Sequence, residues 1–278
     1  MNEPATPPAH TSDRPHGTAL LAALERGELR VAERTGDGSW IVHTWIKEAI
    51  LDVFRTSEVI AKEFALVGRD VIRNTNTLSL YRDKAPFTVR RFGESDNVRV
   101  VPGGSAVRTG AYVAPGCVLM PPCYVNVGAW IGAGTMIDSH ALVGSCAQIG
   151  ARVHVSAAAQ IGGVLEPANA RPVIVEDDAF VGGNCGVYEG VLVRRGAVLA
   201  AGTILTAGTV VFDAVRGIEL RGSRAEPLEI PERAVVVPGS RPLRATNAAA
   251  DYHVACAIIV KYRDERTDRA TALEDALR

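Results

Sequence analysis

Branched aliphatic residues recur at every sixth position from Val101 to Ile161 without a miss: Val101, Val107, Val113, Leu119, Val125, Ile131, Ile137, Val143, Ile149, Val155 and Ile161. After one break the series resumes at Val175 and runs through Val181, Val187, Val193, Leu199, Leu205 and Val211. An amphipathic helix repeats near 3.6 residues and a half-buried strand at about 2, so a strict six fits neither. It fits a chain wound into a three-sided prism, with one short strand per side and about eighteen residues per turn. Alternate residues of a strand point to opposite faces, so the recurring aliphatic points inward and stacks on its counterpart one turn along. Each such burial contributes about 1.5–3 kcal/mol. A core of stacked aliphatics agrees with a composition that is 47% hydrophobic but only 5% aromatic. The residue after the aliphatic is repeatedly glycine (Gly132, Gly144, Gly150, Gly162, Gly182), which reads as a corner needing backbone freedom.

The period breaks once. Fourteen residues separate Ile161 from Val175, where two hexads would take twelve. The interval from Gly162 to Pro172 is punctuated by glycine and proline, and it reads as a loop, residues 162–172, that leaves the prism. An unbroken coil would suit a purely structural scaffold. A loop raised on a rigid frame is where binding and catalytic groups concentrate.

Composition narrows the function classes. A formal charge of −1 over 278 residues argues against a nucleic-acid-coating surface. No run of eighteen apolar residues occurs, so no membrane-spanning helix is expected. Residues 1–17 are rich in Pro and Thr, lack an apolar signal core and read as a disordered tail. The five cysteines (Cys117, Cys123, Cys146, Cys185, Cys256) make neither a CxxC pair nor a zinc spacing. The expectation is therefore no metal site and a reducing, cytoplasmic compartment.

Residues 18–100 have a different texture. Thr18 to Gly27 reads as a helix stopped by glycine. Leu29–Arg34 and Trp40–His43 alternate around Gly36-Asp37-Gly38, a hairpin signal. Trp45 to Arg55 has helical periodicity. These elements form a small α/β cap, expected on the N-terminal end of the prism, where an exposed first turn would offer a pairing edge. The prism spans residues 101–240. Residues 241–278 supply a strand at Ala255–Lys261 and a terminal helix at Arg266–Arg278. Bulky outward residues are scarce along the prism, which favours association about a threefold axis with clefts between neighbours.

Several segments resemble the tetrahydrodipicolinate N-succinyltransferases, a family of hexapeptide-repeat acyltransferases. They include Arg99-Val-Val-Pro, Gly134-Thr-Met-Ile-Asp138, Val143-Gly-Ser-Cys-Ala-Gln-Ile-Gly150, Val153-His-Val-Ser156, Ile161-Gly-Gly-Val-Leu-Glu-Pro167, Glu189-Gly190 and Ile258-Ile-Val-Lys261. The resemblance covers residues 20–278. It implies a mainly β fold, a left-handed parallel β-helix with a small N-terminal α/β cap and a short C-terminal β/α extension. That crossover hand runs against the usual rule, so it comes from the resemblance alone. It also implies transfer of a succinyl group from succinyl-CoA, as co-substrate, to the amine of ring-opened tetrahydrodipicolinate in lysine and diaminopimelate biosynthesis.

Such a reaction needs a cation for the acceptor's carboxylates, a base near the amine and donors for the oxyanion. Asp138 follows the inward Ile137, so its charge faces outward at a corner; it is the first candidate for the base or amine-orienting group, and the resemblance makes it a substrate contact. Glu189 is the second catalytic carboxylate. Hexad counting puts it on another face, nearly three turns from Asp138, on the order of 13 Å along the axis. Two neighbouring chains of a homotrimer would have to share one site. Arg99, and secondarily Arg108, are the carboxylate-binding candidates, because a guanidinium grips a carboxylate through two parallel hydrogen bonds. Ser156, Ala200, Ala201 and Lys261 are the candidates for CoA contacts, and loop 162–172 is expected to cover the acyl-CoA channel and exclude water. Three alternatives remain: an acetyl-CoA-dependent relative on a similar amine, a generic acetyltransferase with His140 or His154 as base, and a non-catalytic scaffold.

Overall fold

The computed structural model describes residues 14–64, 79–223, 226–243 and 252–264. The first thirteen residues of the expected tail and the expected helix at Arg266–Arg278 lie outside them.

Residues 99 to 230 wind through three parallel ladders of two-residue strands. The first face stacks Arg99–Val100, Val118–Leu119, Met136–Ile137, His154–Val155, Phe180–Val181 and Val198–Leu199. The second stacks Ala106–Val107, Tyr124–Val125, Leu142–Val143, Gln160–Ile161, Gly186–Val187 and Ile204–Leu205. The third stacks Tyr112–Val113, Trp130–Ile131, Gln148–Ile149, Ile174–Val175, Leu192–Val193 and Glu229–Ile230. The inward aliphatics of these strands, from Val107 onward, fill one continuous buried core.

Registers correct the hexad count at three places. The first rung is Val100, which pairs with Leu119, not Val101; Pro102-Gly103-Gly104 widens that corner, so seven residues separate Val100 from Val107. Val175 pairs with Ile149, and Val187 with Ile161. Each pair is 26 residues apart instead of the eighteen between Ile131 and Ile149. The loop therefore adds eight residues to a single side, and Val175 is the next rung after Ile161. Val211 leaves the prism to pair with Leu220 and Ala257, and Ile230 takes the rung above Val193.

The glycines after the rungs also have a different reason from the one expected. Positive φ falls three residues after a rung, as at Gly134 (φ 68°) and His140 (φ 62°). The glycines directly after a rung are needed for space: a Cβ on Gly132 would come within 2.5 Å of Gly150 C, and one on Gly182 within 2.6 Å of Leu199 O.

The N-terminal module consists of α1 (Gly17–Glu25), a β1–β2 hairpin (Ala32–Arg34 with Trp40–Val42), α2 (Thr44–Thr56) and a β3–β4 hairpin (Val59–Phe64 with Ser79–Lys84). It does not cap the end of the prism, as expected, but lies along the third face. Leu20, Leu21, Ile46, Ile50 and Val53 pack on Val127 and Cys146. Arg30 donates to Gln148 Oε1 (2.7 Å), Trp40 Nε1 to Glu176 Oε1 (2.9 Å), and Arg194 to Gly38 O (3.0 Å). The reason is the outward column of that face, Tyr112, Trp130, Gln148, Ile174 and Leu192, whose apolar bulk requires cover. At the C-terminal end, Ala234–Pro242 adds to the first face and pairs with His253–Tyr262, which pairs with Val211–Asp213. All five cysteines are buried and free. Burial pushes the Cys117 thiol up to about 11 and Cys146 to about 12, so both are inert packing residues.

Candidate active site

The ladders bring most of the predicted site residues onto one face. Ile137 pairs with Val155, Val155 with Val181, and Val181 with Leu199. The positions after these rungs (Asp138, Ser156, Gly182, Ala200) therefore form one column, about 4.8 Å per step. Arg99 stands two steps beyond Met136 in the neighbouring column, and Lys261 continues that column through Val198 and Val235. Ala201 lies at the corner after Ala200.

Asp138 is partly exposed. Its Oδ1 accepts from Ser139 N (2.7 Å), and its Oδ2 lies 3.7 Å from His154 Nε2. The His154 ring meets Phe180 edge-on, with centroids 5.0 Å apart. Ser156 is buried, and its hydroxyl has no hydrogen-bond partner among the described residues. A buried hydroxyl without a partner is a cost that a ligand can remove. Lys261 lies 3.6 Å from Asp264.

Glu189 lies elsewhere, at the corner after Val187 on the second face. From Ile137 to Val187 the ladders count seven sides, two and a third turns, or about 11 Å along the axis. That replaces the nearly three turns expected from hexad counting, because the loop occupies one side instead of two. Glu189 has φ 52° and is followed by Gly190 at φ 74°, a conformation that a non-glycine residue adopts only when its surroundings impose it. Its Oε2 accepts from Ala207 N (3.0 Å). It lines a cavity of about 1360 Å³ with Trp40, Tyr188, residues of loop 162–172 and residues within 219–223 and 226–229.

Arg108 is already engaged. Its guanidinium pairs with Asp83 (2.5 Å) and lies over the Phe87 ring, 4.5 Å from the centroid. It staples the β3–β4 hairpin to the prism. Loop 162–172 is likewise anchored in its second half, through Pro167 O and Ala170 O on Lys47 of α2 and through Arg171 on Gly190 and Pro227. Sequence reasoning missed both anchors, Lys47 and Arg171, and also missed Glu176, whose carboxylate receives Trp40, Arg194 and the Arg195 N–H. The one available signal was a lysine on the otherwise apolar face of a helix, Ile46-Lys47 before Ala49-Ile50.

Comparison with known proteins now bears on the chain. A family model described as the tetrahydrodipicolinate N-succinyltransferase N-terminal region matches residues 8–56, and one described as the hexapeptide repeat of succinyl-transferase matches residues 172–207. A 2,3,4,5-tetrahydropyridine-2,6-dicarboxylate N-succinyltransferase of Nitrobacter hamburgensis is 44% identical over 263 residues, covering 93% of this chain and 87% of that protein. The chain belongs to the tetrahydrodipicolinate N-succinyltransferase family. A member from Bradyrhizobium diazoefficiens is also 44% identical, over 93% of this chain and 88% of its own length. One from Nitrobacter winogradskyi is 42% identical over 99% of this chain and 94% of its own length. The crystal structure of a protein from Campylobacter jejuni described as a putative 2,3,4,5-tetrahydropyridine-2-carboxylate N-succinyltransferase matches with a TM-score of 0.51 at 16% identity, over 87% of this chain and 61% of that one. At that identity it supports the fold alone. Family membership makes this chain an acyltransferase and fits the convergence of a carboxylate, a hydroxyl and small side chains along one column.

Proposed function

We propose that this chain is a left-handed β-helix N-succinyltransferase that works as a cytoplasmic homotrimer. Succinyl-CoA is its co-substrate and hydrated, ring-opened tetrahydrodipicolinate its acceptor. The acceptor amine attacks the thioester carbonyl carbon. A tetrahedral oxyanion forms, the amine proton passes to a base, and the CoA thiolate leaves. Asp138 is that base. Arg99 binds an acceptor carboxylate. The donor runs along the first face, with Ser156, Ala200 and Ala201 against the pantetheine arm and Lys261 towards the phosphates. From Asp138 to the Lys261 step is five ladder spacings, about 24 Å, a span that suits an extended CoA. We assign Arg108 to holding the β3–β4 hairpin, since binding substrate would require it to release Asp83.

One observation carries the shared site: Asp138 and Glu189 stand on different faces, about 11 Å apart along the axis. A second chain must supply Glu189 if both carboxylates act on one amine. Half-exposed apolar side chains on the second face, among them Tyr124 and Ile204 (38% and 49% exposed), offer the surface for that neighbour. The test is complementation. D138A and E189A chains, each strongly impaired alone, are mixed after denaturation and refolded together. Recovery of a substantial fraction of wild-type activity is expected, because some interfaces then carry an intact Asp138 and an intact Glu189. Mixtures no better than the parents would overturn the shared site. A thiol-release assay comparing succinyl-CoA with acetyl-CoA decides the donor.

A further inference from the structure

We propose that Lys47, on α2, is a positioning residue for this site: it fixes loop 162–172 and, through the loop's Arg171, the aim of Glu189. The inference rests on the reading of Glu189 as a site carboxylate.

Lys47 is fully buried. Its Nζ donates to Pro167 O (3.1 Å) and Ala170 O (2.8 Å). Among the described residues no carboxylate pairs with it. Burial pushes its pKa down, and the neighbouring Cys146 thiol is itself held neutral by burial. An ammonium buried against carbonyl dipoles alone is costly, and an apolar side chain would seal the same contact at less cost. What the cation provides, and an apolar residue would not, is a grip on two loop carbonyls. The loop's Leu165 packs into the same N-terminal cluster.

The next residue along the loop, Arg171, is tied to the Glu189 turn. Arg171 Nε donates to Gly190 O (2.9 Å), Nη2 donates to Pro227 O (3.1 Å), and Nη1 pairs with Glu229 (3.0 Å). The fit is close: a Cβ on Gly190 would lie 2.7 Å from Arg171 O. The two left-handed residues that aim Glu189, at φ 52° and 74°, are therefore held by a loop arginine, and the loop is held by Lys47. Loop and Glu189 line the same cavity. The N-terminal module thus reaches the Glu189 turn through Lys47, besides lining the cavity with Trp40.

A double-mutant cycle on the full-length enzyme separates this role from simple domain adhesion. K47M and E189Q are made singly and together, and kcat, KM for succinyl-CoA and the melting temperature are measured. Expected for K47M is a tenfold or larger fall in kcat with little change in KM. In the E189Q background the same substitution should cost less than twofold. R171M, which leaves Lys47 in place, should show the same coupling to E189Q and keeps the test open if K47M does not fold. Equal losses in both backgrounds, or a K47M enzyme at the wild-type rate, would overturn the proposal. An E189Q enzyme at full rate would instead sink the reading of Glu189 on which it rests.

Discussion

The first and third faces of the prism are written in the same hexads and have opposite fates. On the third face the outward column Trp130, Gln148, Ile174 and Leu192 lies under the N-terminal module, and the slot after Val175 holds Glu176, 4% exposed and bound by Trp40 and Arg194. On the first face the equivalent slots hold Asp138, Ser156, Gly182 and Ala200, and Asp138 keeps 29% of its side chain exposed. One carboxylate is consumed by structure; the other is left available. The inward residues are interchangeable between faces, so the outward slots alone divide the coil into a side that binds its own chain and a side left open, where we propose that substrate binds.

The largest effect that would break this contrast is on Asp138. D138N should lower kcat by about 10²–10⁴-fold, the usual contribution of a positioned acid or base, and leave the melting temperature unchanged. A D138N enzyme that melts early but turns over normally would place Asp138 with the structural carboxylates. E176A should do the reverse. Removing a buried acid strands Arg194 in part and costs about 3 kcal/mol of stability, read by denaturant unfolding, while kcat per folded molecule holds. A smaller effect sharpens the comparison at the edge of the third face. Hydrogen bonds from Arg152, and then from Arg195, hold the Asp178 carboxyl below its usual range. Because the folded-state pKa is depressed, this stability is present above the unfolded pKa and is lost as pH falls through the folded one. The pairs are largely exposed, so the contribution is about 0.2–1 kcal/mol. The difference in melting temperature between wild type and D178N should shrink towards zero on acidification below about pH 4. A constant difference would mean the Asp178 charge adds nothing.

Much of the site could be read in the chain, but unevenly. The outward place of Asp138 followed from the hexads, since the position after a rung faces outward at a fixed step; that Ser156 and Ala200 share its column came from the ladders. The distance to Glu189 did not. It depended on whether the 162–172 interval fills one side or two, and a count of fourteen residues does not say. Arg108 looked like a carboxylate ligand because its partner Asp83 is 25 residues away in a segment with no period. Lys47 left one sign, its place on an apolar helix face, but what it and Arg171 hold are chiefly backbone carbonyls, which carry no sequence signature.

The hexad period by itself determined that this chain must coil, and which residue of every side points inward. Local backbone geometry repeats and needs no distant partner, so it can be read along the line of the chain. The tertiary structure alone decided which face the N-terminal module covers, where the loop is fastened, and which carboxylate stays exposed. Those outcomes turn on contacts between residues far apart in sequence, made where apolar bulk needs cover and where a buried charge needs an acceptor.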